Sequence, residues 1–133
     1  MWAGRIYCGT WCAVQHNCGG DNRRPGWHAE GMIVAFSVST NMPNTDGSVH
    51  DAVAAAVKVV RDSGLPNSTS SMFTEIEGEW DEVMDVVKRA TEAVAAYGNR
   101  VSLVLKADIR PGHTGELTGK VDRLQKALER MGD

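Results

Sequence analysis

The fold of this chain is decided by one stretch in its middle, Met72 to Trp80, with the sequence MFTEIEGEW. Alternate positions before the glycine carry different kinds of side chain, and this period of two is typical of a β-strand with two distinct faces. Gly78 permits a sharp change of direction, and Glu79 opens an acidic helix start whose charges oppose the positive end of the helix dipole. The stretch therefore predicts a strand that turns at once into a helix.

Two carboxylates, Glu75 and Glu77, lie on this single predicted strand. Charged residues on a strand usually face solvent, which is one explanation for the pair. A role in binding is the other explanation. The two residues alone do not separate these alternatives.

The length and charge of the chain limit its class. With 133 residues it suits one domain with a modest core. Its 14 Lys and Arg residues against 17 Asp and Glu residues give a net charge of −3. A protein that binds nucleic acid or an anionic membrane is expected to carry a positive charge instead. No apolar run reaches the length needed to span a bilayer. We therefore expect neither a nucleic-acid partner nor a membrane partner.

The first 31 residues differ from the rest in composition. Cys8, Cys12, His16 and Cys18 are residue types that hold Zn²⁺, but their spacing matches no defined zinc pattern. A disulfide is also conceivable, although an odd cysteine count and the lack of a recognisable export signal argue against it. We expect residues 1–31 to be an extension outside the fold, residues 32–133 to form the domain, and the protein to be cytoplasmic.

From Met32 onward the pattern is regular. The predicted elements are strands over Ile33–Ser39, Asn67–Ser71, Met72–Gly78 and Val101–Ile109, a helix ending at Gly64, a helix over Glu79–Tyr97 and a helix over Leu117–Met131. Asp46 or Ser48 is expected to cap the first helix, and Trp80 to lie in the core stripe of the second. The order predicts an α+β, ferredoxin-like βαββαβ sandwich: an antiparallel sheet, two helices on one face and an extra C-terminal helix.

One sheet face is left without a predicted cover. Val34, Phe36 and Val38 are expected to face the helices, which places Ser37 and Ser39 on the open side. Val104 and Lys106 are predicted to share that open side. Exposed apolar residues on such a face favour burial in a homo-oligomer, against a ligand, or both.

The domain shows no recognisable catalytic set. After Met32 it has no cysteine, no strained Gly-x-Ser-x-Gly turn, no phosphate-binding glycine loop and no metal-ligand pattern. We therefore expect a binding protein rather than an enzyme, without a resident cofactor or metal.

Four segments together resemble one known family. They are MIVAFSVS at 32–39, AVKVVRDSGLP at 56–66, the run M-x-T-x-I-E-G-E-W-D-E-V-M at 72–84, and K-x-D-x-R at 106–110 followed by GKV at 119–121. The combination resembles the small thiamine-binding proteins, which are ferredoxin-like. The resemblance implies non-catalytic binding of thiamine or its hydroxymethylpyrimidine half, in vitamin salvage or transport. It also implies dimers or tetramers that hold ligand against sheet surface near subunit contacts. An oligomeric regulatory or scaffold domain without this ligand is the alternative.

Two departures from the family pattern border the expected pocket. Family members carry a Tyr-x-Leu-Thr-Pro run before Met72, where this chain has polar residues from Asn67 to Ser71. Family members usually have a small residue at the position of Phe73. Both changes bear on which ligand the pocket accepts.

The predicted ligand-binding residues are polar or border the central strand: Ser37, Ser39, Met72, Thr74, Glu77 and Lys106. Hydroxyls suit the amine and ring nitrogens of an aminopyrimidine, and a carboxylate stabilises the thiazolium cation. Thr74 is expected to join Ser37 and Ser39 on the open face. Glu77 is expected to reach a ligand or a neighbouring subunit from the strand end.

Overall fold

The computed structural model of the protein describes residues 31–132. Its elements in chain order are β1 (Met32–Thr40), α1 (His50–Asp62), β2 (Asn67–Thr69), β3 (Thr74–Gly78), α2 (Trp80–Ala95), β4 (Val101–Ile109) and α3 (Glu116–Met131). The predicted N-terminal extension, with its zinc and disulfide alternatives, lies outside the described residues except for Gly31. That glycine is buried, and its carbonyl accepts the Arg110 N–H at 3.0 Å, so Gly31 itself belongs to the folded domain.

The four strands form one antiparallel sheet in the order β2-β3-β1-β4. Helices α1 and α2 pack on each other and on the same side of β1, and α3 follows the last strand. This arrangement confirms the predicted ferredoxin-like fold. In the described part of the chain, no helix combines the length and apolar character needed to cross a membrane.

The core lies between the sheet and the first two helices. Val34, Phe36 and Val38 of β1 are buried there, as their alternation predicts. The larger set of core residues shares low exposure and an apolar side chain: Met32, Ala52, Ala56, Val60, Ile76, Val83, Val86, Val87, Ala90 and Val94. Helix α1 contributes mainly small side chains, which allows it to approach the sheet closely.

The central strand is shorter than predicted. Strand β2 ends at Thr69 and β3 starts at Thr74, so Met72 lies in the connecting turn with 74% of its surface exposed. The Ser70 N–H donates to the Phe73 carbonyl at 2.8 Å, which closes the turn between β2 and β3.

The predicted placement of Thr74 on the open face is wrong. In the antiparallel register Thr74 is paired with Phe36 and Ile76 with Val34, and paired residues share a face. Thr74 is accordingly 7% exposed on the helix side of the sheet. Glu75 and Glu77 occupy the open face.

Two predictions about the helices are also wrong. Asp46 bonds the backbone N–H and the hydroxyl of Ser48, at 2.9 and 2.6 Å, and α1 starts at His50 without a side-chain cap. The Ser48 hydroxyl thereby lowers the pKa of Asp46. Trp80 is 41% exposed because it is the first residue of α2, whereas the buried row of that helix starts at Val83.

Candidate functional site

The first candidate site is a groove at one end of the sheet, which we call the hydroxyl groove. Pairing of β1 with β3 stops at Phe36, so the following residues of β1 have an open edge on that side. Helix α1 and the 70–73 turn close around this edge and leave a groove of about 290 Å³. Its lining side chains bear either a hydroxyl or an apolar group: Phe36, Ser37, Val38, Ser39, Val49, Val53, Ala56, Val57, Thr69, Ser70, Ser71, Met72, Phe73 and Thr74.

Four of the six predicted ligand-binding residues line the hydroxyl groove: Ser37, Ser39, Met72 and Thr74. The serines reach it from the open face at the unpaired edge of β1, whereas Thr74 reaches it from the helix face. They meet around one groove although they do not share a face. The sequence analysis grouped these residues but placed Thr74 on the same face as the serines, whereas the groove wraps around a strand edge.

Only some of the hydroxyl groups that line the hydroxyl groove form hydrogen bonds with other described residues. The hydroxyls of Thr69 and Thr74 lie 3.3 Å apart, and the Ser70 hydroxyl donates to the Phe73 carbonyl at 3.1 Å. Within the described residues, the Ser37 and Ser39 hydroxyls form no hydrogen bond that would occupy them. The groove thus has hydroxyl groups that can serve as donors or acceptors for a ligand.

Glu77 lies at the opposite end of β3, beside a second concave region of about 500 Å³ that we call the acidic cavity. The cavity is bordered by the start of α2, the 64–66 turn and the start of α3. Its lining residues are Gly31, Leu65, Pro66, Glu77, Gly78, Glu79, Glu82, Thr114, Gly115, Leu117 and Thr118.

The carboxylate of Glu77 holds the first turn of α3. Its Oε1 accepts the backbone N–H of Glu116 at 2.9 Å, and its Oε2 accepts that of Leu117 at 3.0 Å. Helix N-termini leave backbone donors unsatisfied, and a carboxylate also matches the positive end of the helix dipole. Since Glu77 is only 5% exposed, its position is fixed by this contact. It does not swing around the strand edge, and the hydroxyl groove does not include it.

Glu116, at the start of α3, continues this polar network. Arg123 donates to both of its carboxylate oxygens, at 3.1 and 2.5 Å, and Arg110 lies 3.6 Å away. The hydrogen bond from Arg123 lowers the pKa of Glu116, and Glu116 in turn raises the pKa of Arg123. Glu77 therefore anchors the start of α3 to β3, Arg110 links it to the loop after β4, and the Glu116–Arg123 pair lies within the helix.

Lys106 lies in a third region, the open-face groove of about 410 Å³ between the sheet and α3. Its lining residues are Ile33, Ala35, Glu75, Lys106, Ala107, Asp108, Glu116, Leu117, Lys120 and Val121. An ion pair between Lys120 and Asp108 joins α3 to β4. The open face is therefore partly covered by α3, contrary to the expectation that nothing covers it, and Lys106 lines this groove and not the hydroxyl groove.

Comparison with known proteins identifies the family. Residues 34–125 match the family model described as thiamine-binding protein. The chain belongs to this family. It is 54% identical over 100 residues to the UPF0045 protein Mb1933 of Mycobacterium bovis, covering 74% of this chain and 96% of that protein. It is 36% identical over 83 residues to the UPF0045 protein sll0230 of Synechocystis, covering 62% of this chain and 69% of that protein.

Solved structures show the same fold. A Bacillus cereus domain of unknown function, DUF77, is similar with a TM-score of 0.58 and 33% identity, covering 66% of this chain and 86% of that one. A Thermotoga maritima protein provisionally assigned to thiamine biosynthesis/salvage has a TM-score of 0.59 and 27% identity, covering 71% of this chain and 98% of that one.

In this member of the thiamine-binding family, sequence reasoning missed the part that α1 plays in the groove. Val53 and Val57 of α1 line the hydroxyl groove together with Val49 just before the helix. The buried row of α1 is Ala52, Ala56 and Val60, of which Ala56 also lines the groove. The sequence pattern could have predicted this second contact, because α1 has apolar residues on two adjacent rows, which is more than a single core stripe requires.

Proposed function

We propose that this protein binds thiamine or its hydroxymethylpyrimidine half in the hydroxyl groove, without converting it chemically. The observation that carries the proposal is the meeting of Ser37, Ser39, Thr74 and Met72 around one groove with an apolar wall. Membership in the thiamine-binding family supports the class of ligand.

The chemistry of the groove suits an aminopyrimidine. The ring has an amine donor and nitrogen acceptors, and hydroxyl side chains satisfy both kinds of group. Valines of α1 form one wall and Phe73 another, so the flat ring is held by apolar and aromatic surfaces. The volume of about 290 Å³ lies at the small end for ligand pockets. We expect the pyrimidine to fill the groove and the thiazolium to lie toward its mouth, beside the exposed Met72.

One feature of the groove supports binding without phosphate recognition or catalysis. No charged side chain lines the hydroxyl groove within residues 31–132. A diphosphate ligand would favour arginine or lysine there, and proton transfer would favour a titratable group. The expected preference is therefore for the unphosphorylated vitamin. A role in vitamin salvage in the cytoplasm completes the proposal, supported by the provisional assignment of the Thermotoga maritima neighbour.

Calorimetry of the full chain with three ligands tests the proposal: thiamine, hydroxymethylpyrimidine and thiamine diphosphate. We expect saturable binding of the first two, weaker binding of the diphosphate, and no turnover by chromatography of the recovered ligand. In an amide NMR titration the groove residues, such as Thr74 and Ser39, should shift. No binding at millimolar ligand would overturn the proposal and favour the alternative of an oligomeric scaffold.

We further propose that the protein is a homo-oligomer that buries the exposed apolar residues of α3. Val121 and Leu124 are 62% and 60% exposed on that helix. Val104 and Lys106 extend the same surface across the open face of β4. Amphipathic helices normally bury their apolar stripe, and within the described residues nothing covers this one.

A further inference from the structure

The hydroxyl groove contains a backbone feature that the proposed function does not use, the unpaired edge of β1 at Val38. Strand β1 pairs with β4 from Met32 to Thr40, but its pairing with β3 stops at Phe36. Val38 lies beyond that point and lines the groove. The direction of its N–H and C=O groups therefore bears on what the groove can bind.

Hydrogen bonds at the two ends of β1 fix this direction. The Gly31 carbonyl accepts the Arg110 N–H at 3.0 Å. The Asn41 N–H donates to the Arg100 carbonyl at 3.3 Å. Backbone groups of successive strand residues point to alternate sides, so odd-numbered residues of β1 bond to β4 and even-numbered residues face β3. The N–H and C=O of Val38 therefore point away from β4 and toward the groove.

Strand β3 gives the same result independently. The Glu77 N–H donates to the carbonyl of Pro66, just before β2, at 2.9 Å, so odd-numbered residues of β3 face β2. Even-numbered residues of β3 face β1, and this ladder ends at Thr74. One step further, Val38 would be opposite Met72, but Met72 lies in the turn between β2 and β3. The Val38 backbone therefore faces the groove instead of a strand.

The position of Val38 is buried although its backbone groups have no strand partner. The residue is only 6% exposed, and neither β3 nor β4 supplies a hydrogen bond to its N–H or C=O. The neighbouring Ser37 and Ser39 differ, because their odd-numbered backbone groups bond to β4. A shielded backbone group without a partner costs free energy, so a ligand that bonds to it is favoured.

The shape of the groove limits the kind of ligand that can supply these bonds. An N–H and a C=O of one strand residue form an adjacent donor and acceptor, which a further strand would normally match. A groove of about 290 Å³, closed by α1 and the 70–73 turn, is too small for a strand of typical length. A planar ring matches the same pattern when its amino group is attached beside a ring nitrogen.

We propose that the Val38 backbone binds the amino edge of a heteroaromatic ligand. The Val38 N–H donates to a ring nitrogen, and the adjacent exocyclic amine donates to the Val38 C=O. The ring faces contact Phe73 and the valines of α1, and the groove hydroxyls bond the remaining polar groups of the ligand. This inference rests on the proposed function, because the pyrimidine half of thiamine carries such an edge, and it names the edge that sets specificity.

Calorimetry of the full chain with altered pyrimidines tests which ligand edge is bound. The parent ligand is hydroxymethylpyrimidine, and the test compound has a methyl group in place of its amine. We expect the test compound to bind at least about tenfold more weakly, because the shape is kept while the Val38 C=O loses its donor. The control compound lacks the ring 2-methyl group, away from this edge, and should bind no more than about fourfold more weakly.

An amide NMR titration of the full chain with hydroxymethylpyrimidine tests the other bond. The Val38 amide proton should move downfield as it gains an acceptor. The Thr40 amide is the internal control, because it faces the same side of β1 but does not line the groove, and its shift should not change.

Two results would overturn this inference while the proposed function stands: equal affinity for the methyl compound, or an unmoved Val38 amide proton while Ser39 and Thr74 shift in a saturable manner. Absence of any binding of hydroxymethylpyrimidine at millimolar concentration would overturn the inference and the proposed function together.

Discussion

The carboxylate of Glu77 accepts the backbone N–H of Glu116 at 2.9 Å, although the two residues lie 39 positions apart in the chain. This contact fixes the start of α3 against the end of β3. It joins the C-terminal helix to the central strand and forms one side of the acidic cavity.

Replacing Glu77 with alanine should destabilise the protein. A hydrogen bond to a charged group contributes about 1.5–3 kcal/mol, and the variant leaves two helix donors without an acceptor. We expect the free energy of unfolding to fall by at least that amount in urea denaturation. Glu75→Ala, on the same strand face but exposed, should change it by less than about 0.5 kcal/mol. Equal effects of the two variants would contradict the anchoring role of Glu77.

Replacing Thr74 with valine should weaken thiamine binding while the fold is kept. The change removes the hydroxyl and retains the shape, so a lost neutral hydrogen bond of about 0.5–1.5 kcal/mol lowers affinity about two- to twelvefold. Calorimetry measures the effect. Thr91→Val is the matched control, because the Thr91 hydroxyl bonds the Val87 carbonyl within α2 and lies outside the groove. Unchanged affinity in Thr74→Val would remove Thr74 from the site.

Replacing Arg123 with glutamine should lower the thermal midpoint in a pH-dependent way. Arg123 holds the pKa of Glu116 below its ordinary value of 4.5. A carboxyl group with a lowered folded pKa contributes stability above its unfolded pKa, and that contribution is lost as pH falls through the folded value. The difference in thermal midpoint between parent and variant should therefore be largest near pH 7 and decrease below about pH 4.5.

Arg130→Gln is the control for this pH series, because Arg130 lies in the last turn of α3, far from Glu116. Its thermal midpoint should follow that of the parent across the same range. If the difference in thermal midpoint between Arg123→Gln and the parent stays constant down to strongly acidic pH, the ion pair does not cause that difference.

Replacing Leu124 with glutamate should reduce the oligomer mass. Leu124 is 60% exposed, so the folded protomer tolerates the charge, whereas burial against a second subunit does not. Light scattering after size exclusion should show the parent as a dimer or tetramer and the variant closer to a monomer. Gln125→Glu adds the same charge one residue along and should keep the parent mass. A monomeric parent at micromolar concentration would exclude this assembly.

Deleting residues 1–30 should leave the thermal midpoint within about 4 °C of the parent, the shift expected for less than 1 kcal/mol. The deletion retains Gly31, whose carbonyl bonds the Arg110 N–H. Differential scanning calorimetry of both forms, with zinc analysis, gives the result. A collapse of stability, or stoichiometric zinc lost with the deletion, would show that the extension belongs to the fold.

The order of the elements and the two faces of β1 were predictable from the amino-acid pattern alone. From Val34 to Ser39 larger apolar residues alternate with the small residues Ala35, Ser37 and Ser39, and Val34, Phe36 and Val38 lie in the core as predicted. The same holds for the helix-facing side of β4, with Leu105 and Ile109 packed against the core.

The face of Thr74, the role of Glu77 and the covering of the open face were decided only by the tertiary structure. Threonine suits either side of a sheet, so its face follows from pairing with Phe36, which local pattern does not specify. The partners of Glu77 lie in a helix that begins 39 residues later. Such a contact depends on where the chain returns in space, and no periodicity within β3 or α3 contains that information.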